Sequence, residues 1–264
     1  MKKALAIPLL LIVLQLPAQV QWGIQTGNNL STPGYTNDLA AFQADALLGY
    51  SLGLFGRKII KEGIRSRFIA PIRYGVLSLD WGLNIVRTGY TYRYASVDNT
   101  TGQWLLEFPV LLGFYDKNNA LIPRNWKRKG MATYTRFGLK FVRLPKRTVE
   151  RTTTLEGFRV DEHTTFGGWN TRISWSGGIM QTHKNGNIAA LEIAANISLL
   201  NTAVGKLQYR ELSGKLLNEG YFKNSGSYLS LNLLYLFDSN SSIQPDGKEL
   251  PPIIYNPRTL DGSK

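Results

Sequence analysis

The sequence predicts an all-β chain that closes as an eight-stranded antiparallel transmembrane β-barrel, and three observations carry that prediction. Apolar and polar residues alternate with period two in eight separate segments, the pattern of strands whose two faces meet different surroundings. Beyond Gln21 no apolar run approaches the ~18 residues of a spanning helix. The N-terminus carries the marks of an export signal.

The elements follow in chain order. Lys2 and Lys3, the apolar run Ala4 to Leu16, and Leu16-Pro17-Ala18 make residues 1–18 a signal peptide, cut after Ala18. The competing reading is a retained anchor, for which the run is short. Residues 19–237 form the barrel domain. Its first strand starts at Trp22 and Ile24, ahead of Asn28-Asn29. The second sets Phe42, Ala44, Ala46, Leu48, Tyr50, Leu52 and Leu54 against Gln43, Asp45, Gly49, Ser51 and Gly53. In the third, Leu77, Leu79, Trp81, Leu83 and Ile85 alternate with Ser78, Asp80, Gly82 and Asn84. The fourth sets Leu106, Phe108, Val110, Leu112 and Phe114 against Glu107, Pro109, Leu111 and Gly113. Pro109 lacks a ladder donor and predicts a bulge or local break. The fifth runs Phe137, Leu139, Phe141 against Arg136, Gly138, Lys140, and the sixth Trp169 to Trp175 against Asn170, Arg172, Ser174 and Ser176. The seventh sets Leu191, Ile193, Ala195, Ile197 and Leu199 against Glu192, Asn196 and Ser198; the eighth ends at Tyr235 and Phe237.

Each segment approaches the ~9–11 residues that a tilted strand needs to cross hydrocarbon. Strands in lipid must close, because an open edge leaves backbone groups unsatisfied. The inward parity is rich in Gly, Ser and Asn, and aromatics sit near the outward segment ends, as in narrow barrels with aromatic girdles. An exported soluble sandwich or lipocalin-like barrel is the alternative, since it too buries alternating aromatics.

Composition narrows the partners. The formal net charge is +13, and losing Lys2 and Lys3 leaves about +11. An exported basic chain meets anionic lipid or polysaccharide rather than nucleic acid. With no cysteine there is neither a disulfide framework nor a lipid-modified N-terminal Cys.

With the N-terminus periplasmic, residues 31–40, 87–103, 143–165 and 200–226 are external loops. Residues 56–73, 116–130 and 182–187 are periplasmic turns, the last a tight hairpin around Asn185-Gly186. Inward-facing Asp45, Asp80, Glu107 and Glu192 oppose Arg136, Lys140 and Arg172, and read as a neutralising ion-pair network in the lumen. Glu107 and Lys140 are expected to meet there. The alternative is an ion pathway. Arg57, Lys58, Lys61, Arg65, Arg67, Arg124, Lys127, Arg128 and Lys129 form a periplasmic basic face, either docking an acidic partner or touching anionic lipid. Residues 238–264 form a polar tail in which Pro251-Pro252-Ile253-Ile254-Tyr255-Asn256-Pro257 suits an extended docking segment or a frayed terminus. His163 and His183 fall on opposite faces, so they cannot share a metal. His163, within Asp161-Glu162-His163-Thr164, is the lone candidate base, and a solvated loop histidine is the simpler reading. No catalytic, cofactor-binding or metal-ligating residues are expected.

Trp22-Gly23-Ile24-Gln25-Thr26-Gly27-Asn28-Asn29-Leu30-Ser31, the Leu-Glu-Phe-Pro-Val-Leu-Leu strand at 106–112, Leu191-Glu192-Ile193 and the ending at Phe237 resemble the PorT-like outer-membrane β-barrel family of Bacteroidota. The likeness spans residues 19–237. Some members are similar to secretion-system components, others to small adhesion or stability barrels, and no catalytic residues come with the resemblance. It implies a non-enzymatic barrel of the Gram-negative outer membrane, in contact with lipid, anchoring or scaffolding a periplasmic or envelope protein assembly. A small-solute pore and a lipid-modifying enzyme are the alternatives. The turns after the second and fourth strands and the tail past Phe237 are longer than the family pattern.

Overall fold

The computed structural model describes residues 20–31, 42–66, 72–94, 97–116, 131–155, 157–183 and 185–237, and no helix occurs among them. In chain order the strands are β1 (Val20–Ser31), β2 (Phe42–Asp45), β3 (Leu47–Ser66), β4 (Ile72–Tyr94), β5 (Val97–Asp116), β6 (Met131–Leu155), β7 (Phe158–Thr182), β8 (Ile188–Ser198), β9 (Ala203–Glu211), β10 (Leu216–Asn224) and β11 (Tyr228–Leu236). Eight of them close a ring of antiparallel neighbours: β1, β3, β4, β5, β6, β7, β8, β11 and back to β1. Closure removes every edge within the ring.

The register fixes the ring's width. From Ser31 the paired residues run through Tyr228, Asn196, Ser174, Gly138, Leu111, Asp80 and Arg57, and return to β1 at Gln21, ten residues from the start. A stagger of ten over eight strands corresponds to a tilt of about 40° and a backbone radius of about 8 Å. Side chains fill an interior of that size.

The two parities part as alternation requires. Leu52, Leu54, Trp175, Ile193 and Leu233 are exposed outward, whereas Ser51, Asn84, Ser174, Asn196 and Asn232 are buried inward. On β5 the outward row from Trp104 to Phe114 spans about 25 Å along the axis. This apolar belt has aromatic edges. Near the end where the ring strands begin at Val20, Trp22 meets Trp81 edge-on at 6.2 Å and Tyr235 meets Phe237 at 5.3 Å. At the far edge Tyr50 meets Trp104 at 5.2 Å.

Two apolar layers close the interior. The near layer holds Phe55, Val76, Tyr115, Tyr134, Leu234 and Leu236; the far layer holds Val86, Leu105, Val142, Leu144 and Tyr228. Phe55 lies flat across Gly23, where an added Cβ would sit 2.8 Å from the ring and 2.4 Å from the Tyr235 carbonyl oxygen. The glycine is what lets the aromatic cover the wall.

Several expectations are corrected here. The external loops 87–103, 143–165 and 200–226 are mostly strand: β4 and β5 stay paired to Tyr94 and Val97, β6 and β7 to Leu155 and Phe158, and β9 pairs with both β7 and β10. The long turn after the second strand is also strand, because β3 runs to Ser66 and β4 starts at Ile72. The second segment breaks at Ala46, and its first part, β2, pairs with β4 at Thr91 to Tyr94. At Pro109 the expected local break is present and the bulge is not: the β4–β5 ladder lacks the pairs at Phe108 and Pro109 without a register shift, and the β5–β6 ladder runs unbroken through it. The turn 116–130 lies outside the described residues beyond Asp116, as do the signal peptide, the tail 238–264 and the loop 32–41.

Beyond the Leu106–Arg143 pair, β5 and β6 separate. The strands then form two leaves, β2–β4–β5 and β6–β7–β9–β10. They face each other across Tyr90, which is fully buried, stacked on Phe166 at 6.1 Å and edge-on to Phe222 at 5.6 Å, with Leu207 and Ala203 alongside. A bulge between Leu144 and Arg147 gives β6 one residue more than β7. The extra residue reverses the parity of β6, so that odd-numbered Val149 points into this far core.

Candidate functional site: the ion-paired interior

Between the apolar layers lie two clusters of buried charge. In the near cluster Arg57 grips Asp80 through two nitrogens, each 3.3 Å from a carboxylate oxygen. Ser78 and Tyr115 donate hydrogen bonds to the same carboxylate at 2.7 and 3.0 Å, and Arg136 reaches it at 3.4 Å. Arg136 also donates from Nε to Glu192 at 2.7 Å, and its Nη2 bonds the same carboxylate. Ser176 and Asn232 complete the shell of Glu192, each at 3.0 Å. The Arg57 guanidinium rests 4.3 Å from the centroid of the Tyr115 ring.

The far cluster is built on Glu107. Arg172 hydrogen-bonds one of its oxygens; Tyr228 donates to the other at 2.8 Å, and Lys140 Nζ lies 3.5 Å from it. Lys140 is also 3.3 Å from the Tyr228 hydroxyl, and Arg172 donates to Ser198 at 3.1 Å. A buried charge is tolerated only when paired and hydrogen-bonded. Each of the three carboxylates meets that condition several times over. Between the clusters is a cavity of about 10 Å³ bounded by Asn84, Pro109, Lys140 and Glu192 among others, the space of about one water.

The interior network therefore brings together Asp80, Glu107, Arg136, Lys140, Arg172 and Glu192, and two assignments change. Asp45 is not in it: it stands on β2 opposite Thr91, eleven residues along β4 from Asp80, or about 36 Å of strand. Arg57 belongs to it, although its place in the sequence had suggested the periplasmic basic face. β3 continues straight past Gly56, and residue 57 keeps the inward parity of Ser51, Gly53 and Phe55. Lys58 is buried as well, so it too leaves the basic face. Lys61 is exposed on β3, and Arg65 lies on the same strand. Arg67, Arg124, Lys127, Arg128 and Lys129 lie outside the described residues.

The histidines sit at opposite ends of β7. His163 is exposed with Nδ1 3.1 Å from Glu150 Oε1, and His183 is exposed in the tight turn, where its amide is hydrogen-bonded to the Asn187 carbonyl at 2.8 Å. Among the described residues no group of three His, Asp or Glu converges as metal ligands would.

Comparison with known proteins gave no match, either to a family model or to an individual curated sequence.

Proposed function

We propose that this chain is a non-enzymatic β-barrel of the Gram-negative outer membrane that anchors or scaffolds an envelope or secretion-related assembly. One observation carries the reading: an apolar belt about 25 Å tall surrounds an interior whose carboxylates are all engaged and whose central void is about 10 Å³. Such a wall suits hydrocarbon, and such an interior holds the ring together instead of serving passage or reaction. The partner is a periplasmic or envelope protein, and the docking elements are Lys61, Arg65, Arg67, Arg124, Lys127, Arg128 and Lys129 with the tail 238–264. Arg57 and Lys58 are not among them, because both are buried.

The test uses full-length protein folded in detergent and then placed in planar bilayers. The expected results are a gel mobility that changes on boiling and the absence of steady single-channel current. A water-soluble monomer obtained without detergent would refute the barrel. Crosslinking from the periplasmic side should capture a partner that is lost on deleting 239–264 and weakened by Lys127, Arg128 and Lys129→Glu.

A small-solute pore is the second reading. It draws on the four cations, Arg57, Arg136, Lys140 and Arg172, that face three carboxylates, an excess that would favour anions. Sustained anion-selective conductance would establish it. The third, a lipid-modifying enzyme built on His163, predicts an altered lipid profile when the protein is absent.

A further inference from the structure

Several cations beyond the apolar belt have carboxylate partners. In the far extension Arg159, Lys206 and Arg210 lie 3.1, 2.7 and 3.4 Å from Asp161, Glu219 and Asp161. At the far rim of the apolar belt the pattern stops. Arg87 on β4 and Arg143 on β6 point outward among the last aromatics, with guanidinium carbons 5.7 Å from the Tyr50 ring and 5.1 Å from the Trp169 ring. Just beyond, the β6 bulge turns Lys146 out, and it is exposed; Arg147 after it is exposed too, but it pairs with inward-facing Phe166 and so lies on the other side of the wall. No described carboxylate lies within ion-pair distance of Arg87, Arg143 or Lys146.

The backbone is built to present them. Opposite the bulge, Gly167 and Gly168 hold φ of 133° and 108°, a region open to glycine and strained for other residues. A Cβ on Gly167 would come within 2.7 Å of the Lys146 Cα, so the glycine makes room for the bulged chain. Bulges re-aim side chains in this way. The aromatic contacts hold the two arginines at the rim, where an apolar medium would give way to its headgroups.

We propose that Arg87, Arg143 and Lys146 form a site for the phosphate groups of an outer-leaflet glycolipid headgroup. The inference rests on the membrane reading above. Guanidinium forks match phosphate oxygens two at a time. A partner fixed at this height and carrying several negative charges would pair cations that meet no described carboxylate.

The experiment uses the folded full-length chain in phosphatidylcholine nanodiscs doped with a bis-phosphorylated glycolipid or its dephosphorylated form, read by native mass spectrometry. Retention of the phosphorylated lipid is expected, with little of the dephosphorylated one. Combined Arg87, Arg143 and Lys146→Ala should weaken it about a hundredfold, and Arg159→Ala should not. If the triple variant misfolds, Lys146→Ala, beyond the belt, should still weaken retention about fivefold. Equal retention of both lipids, or unchanged retention by the variants, would overturn the site while leaving the barrel standing. Loss of retention to millimolar inorganic phosphate would assign the site to free phosphate and overturn the lipid. A chain that does not enter nanodiscs at all fails the membrane reading first, and the site with it.

Discussion

Two lengths of the same strands fill their interiors in opposite ways. Along the belt β7 turns Ser176, Ser174, Arg172 and Asn170 inward and Trp175 and Trp169 outward. Beyond the rim the same even-numbered side sends Phe166 and Val160 into a core, while Thr165 and His163 face out. β4 makes the same change, from Asp80 and Asn84 to Tyr90. Backbone and parity persist, so the difference lies in what each length faces. Where the outer face is apolar, a wall gains nothing by turning more apolar residues inward, and a polar, self-paired interior distinguishes inside from outside. Where the outer face is polar, burial of apolar area is the main driving force, and the core becomes aromatic.

The largest effect should come from breaking the charge pairing. Asp80→Asn leaves Arg57 and Arg136 buried without their shared carboxylate, and should cost about 3–5 kcal/mol, read from the urea midpoint of the folded-to-unfolded gel shift. Adding Arg57→Met should recover most of that loss. A single-variant cost near the ~0–1 kcal/mol of surface pairs would mean that the interior is solvated and the comparison fails. Tyr90→Ala strikes the other region and should cost about 3–4 kcal/mol, but locally. Protease sites should open in residues 87–103 and 203–224 while the barrel's heat-dependent mobility stays intact. Simultaneous collapse of both regions would show that they fold as one unit.

The outer faces can be compared directly. Phe108→Arg near the middle of the belt should cost about 2–4 kcal/mol in lipid, whereas Val204→Arg on the far extension should change stability by about 0.5 kcal/mol or less. Equal costs would erase the boundary drawn at Arg143. The smallest effect is acid sensitivity of the far hairpin. Hydrogen bonds donated by Lys206 at 2.7 Å, then Tyr221 at 2.5 Å and Gln208 at 2.9 Å hold the Glu219 carboxyl down to about 2. A depressed folded value stabilises above the ordinary carboxylate range, about 4.3, and the contribution is lost as pH falls toward 2. Amide exchange in β9 and β10 should quicken across that window, and Glu219→Gln should abolish the pH dependence.

The belt was legible in the sequence because one parity of each segment is apolar. Glu107, Lys140, Arg136 and Arg172 could be set inward by counting from Phe108, Phe137 and Ile173. The same count, carried one step past Phe55, would have found Arg57; a cluster of cations had suggested a turn instead. Asp45 shares the inward parity of its segment, but no local signal reveals the break at Ala46 or its height relative to Asp80, since both are set by pairing with β4. The far hairpins look like loops in the sequence for a related reason. In Thr148 to Thr154 the outward side is polar, so hydropathy stops alternating although the backbone continues as strand. The bulge that reverses β6 lies beside Pro145, and only its pairing with Gly167 and Gly168 identifies it.

The ring's last join has a consequence in time. β1 is bonded to β11, from Gly23 with Leu236 to Ser31 with Tyr228, so residues some two hundred apart in the chain must find each other before the wall is complete. Until Tyr228–Leu236 is delivered, both β1 and β8 keep a row of open donors and acceptors, and no shorter chain offers a halfway product free of them. Closure of the ring is thus a late step, which waits for nearly the whole chain from β1 to β11.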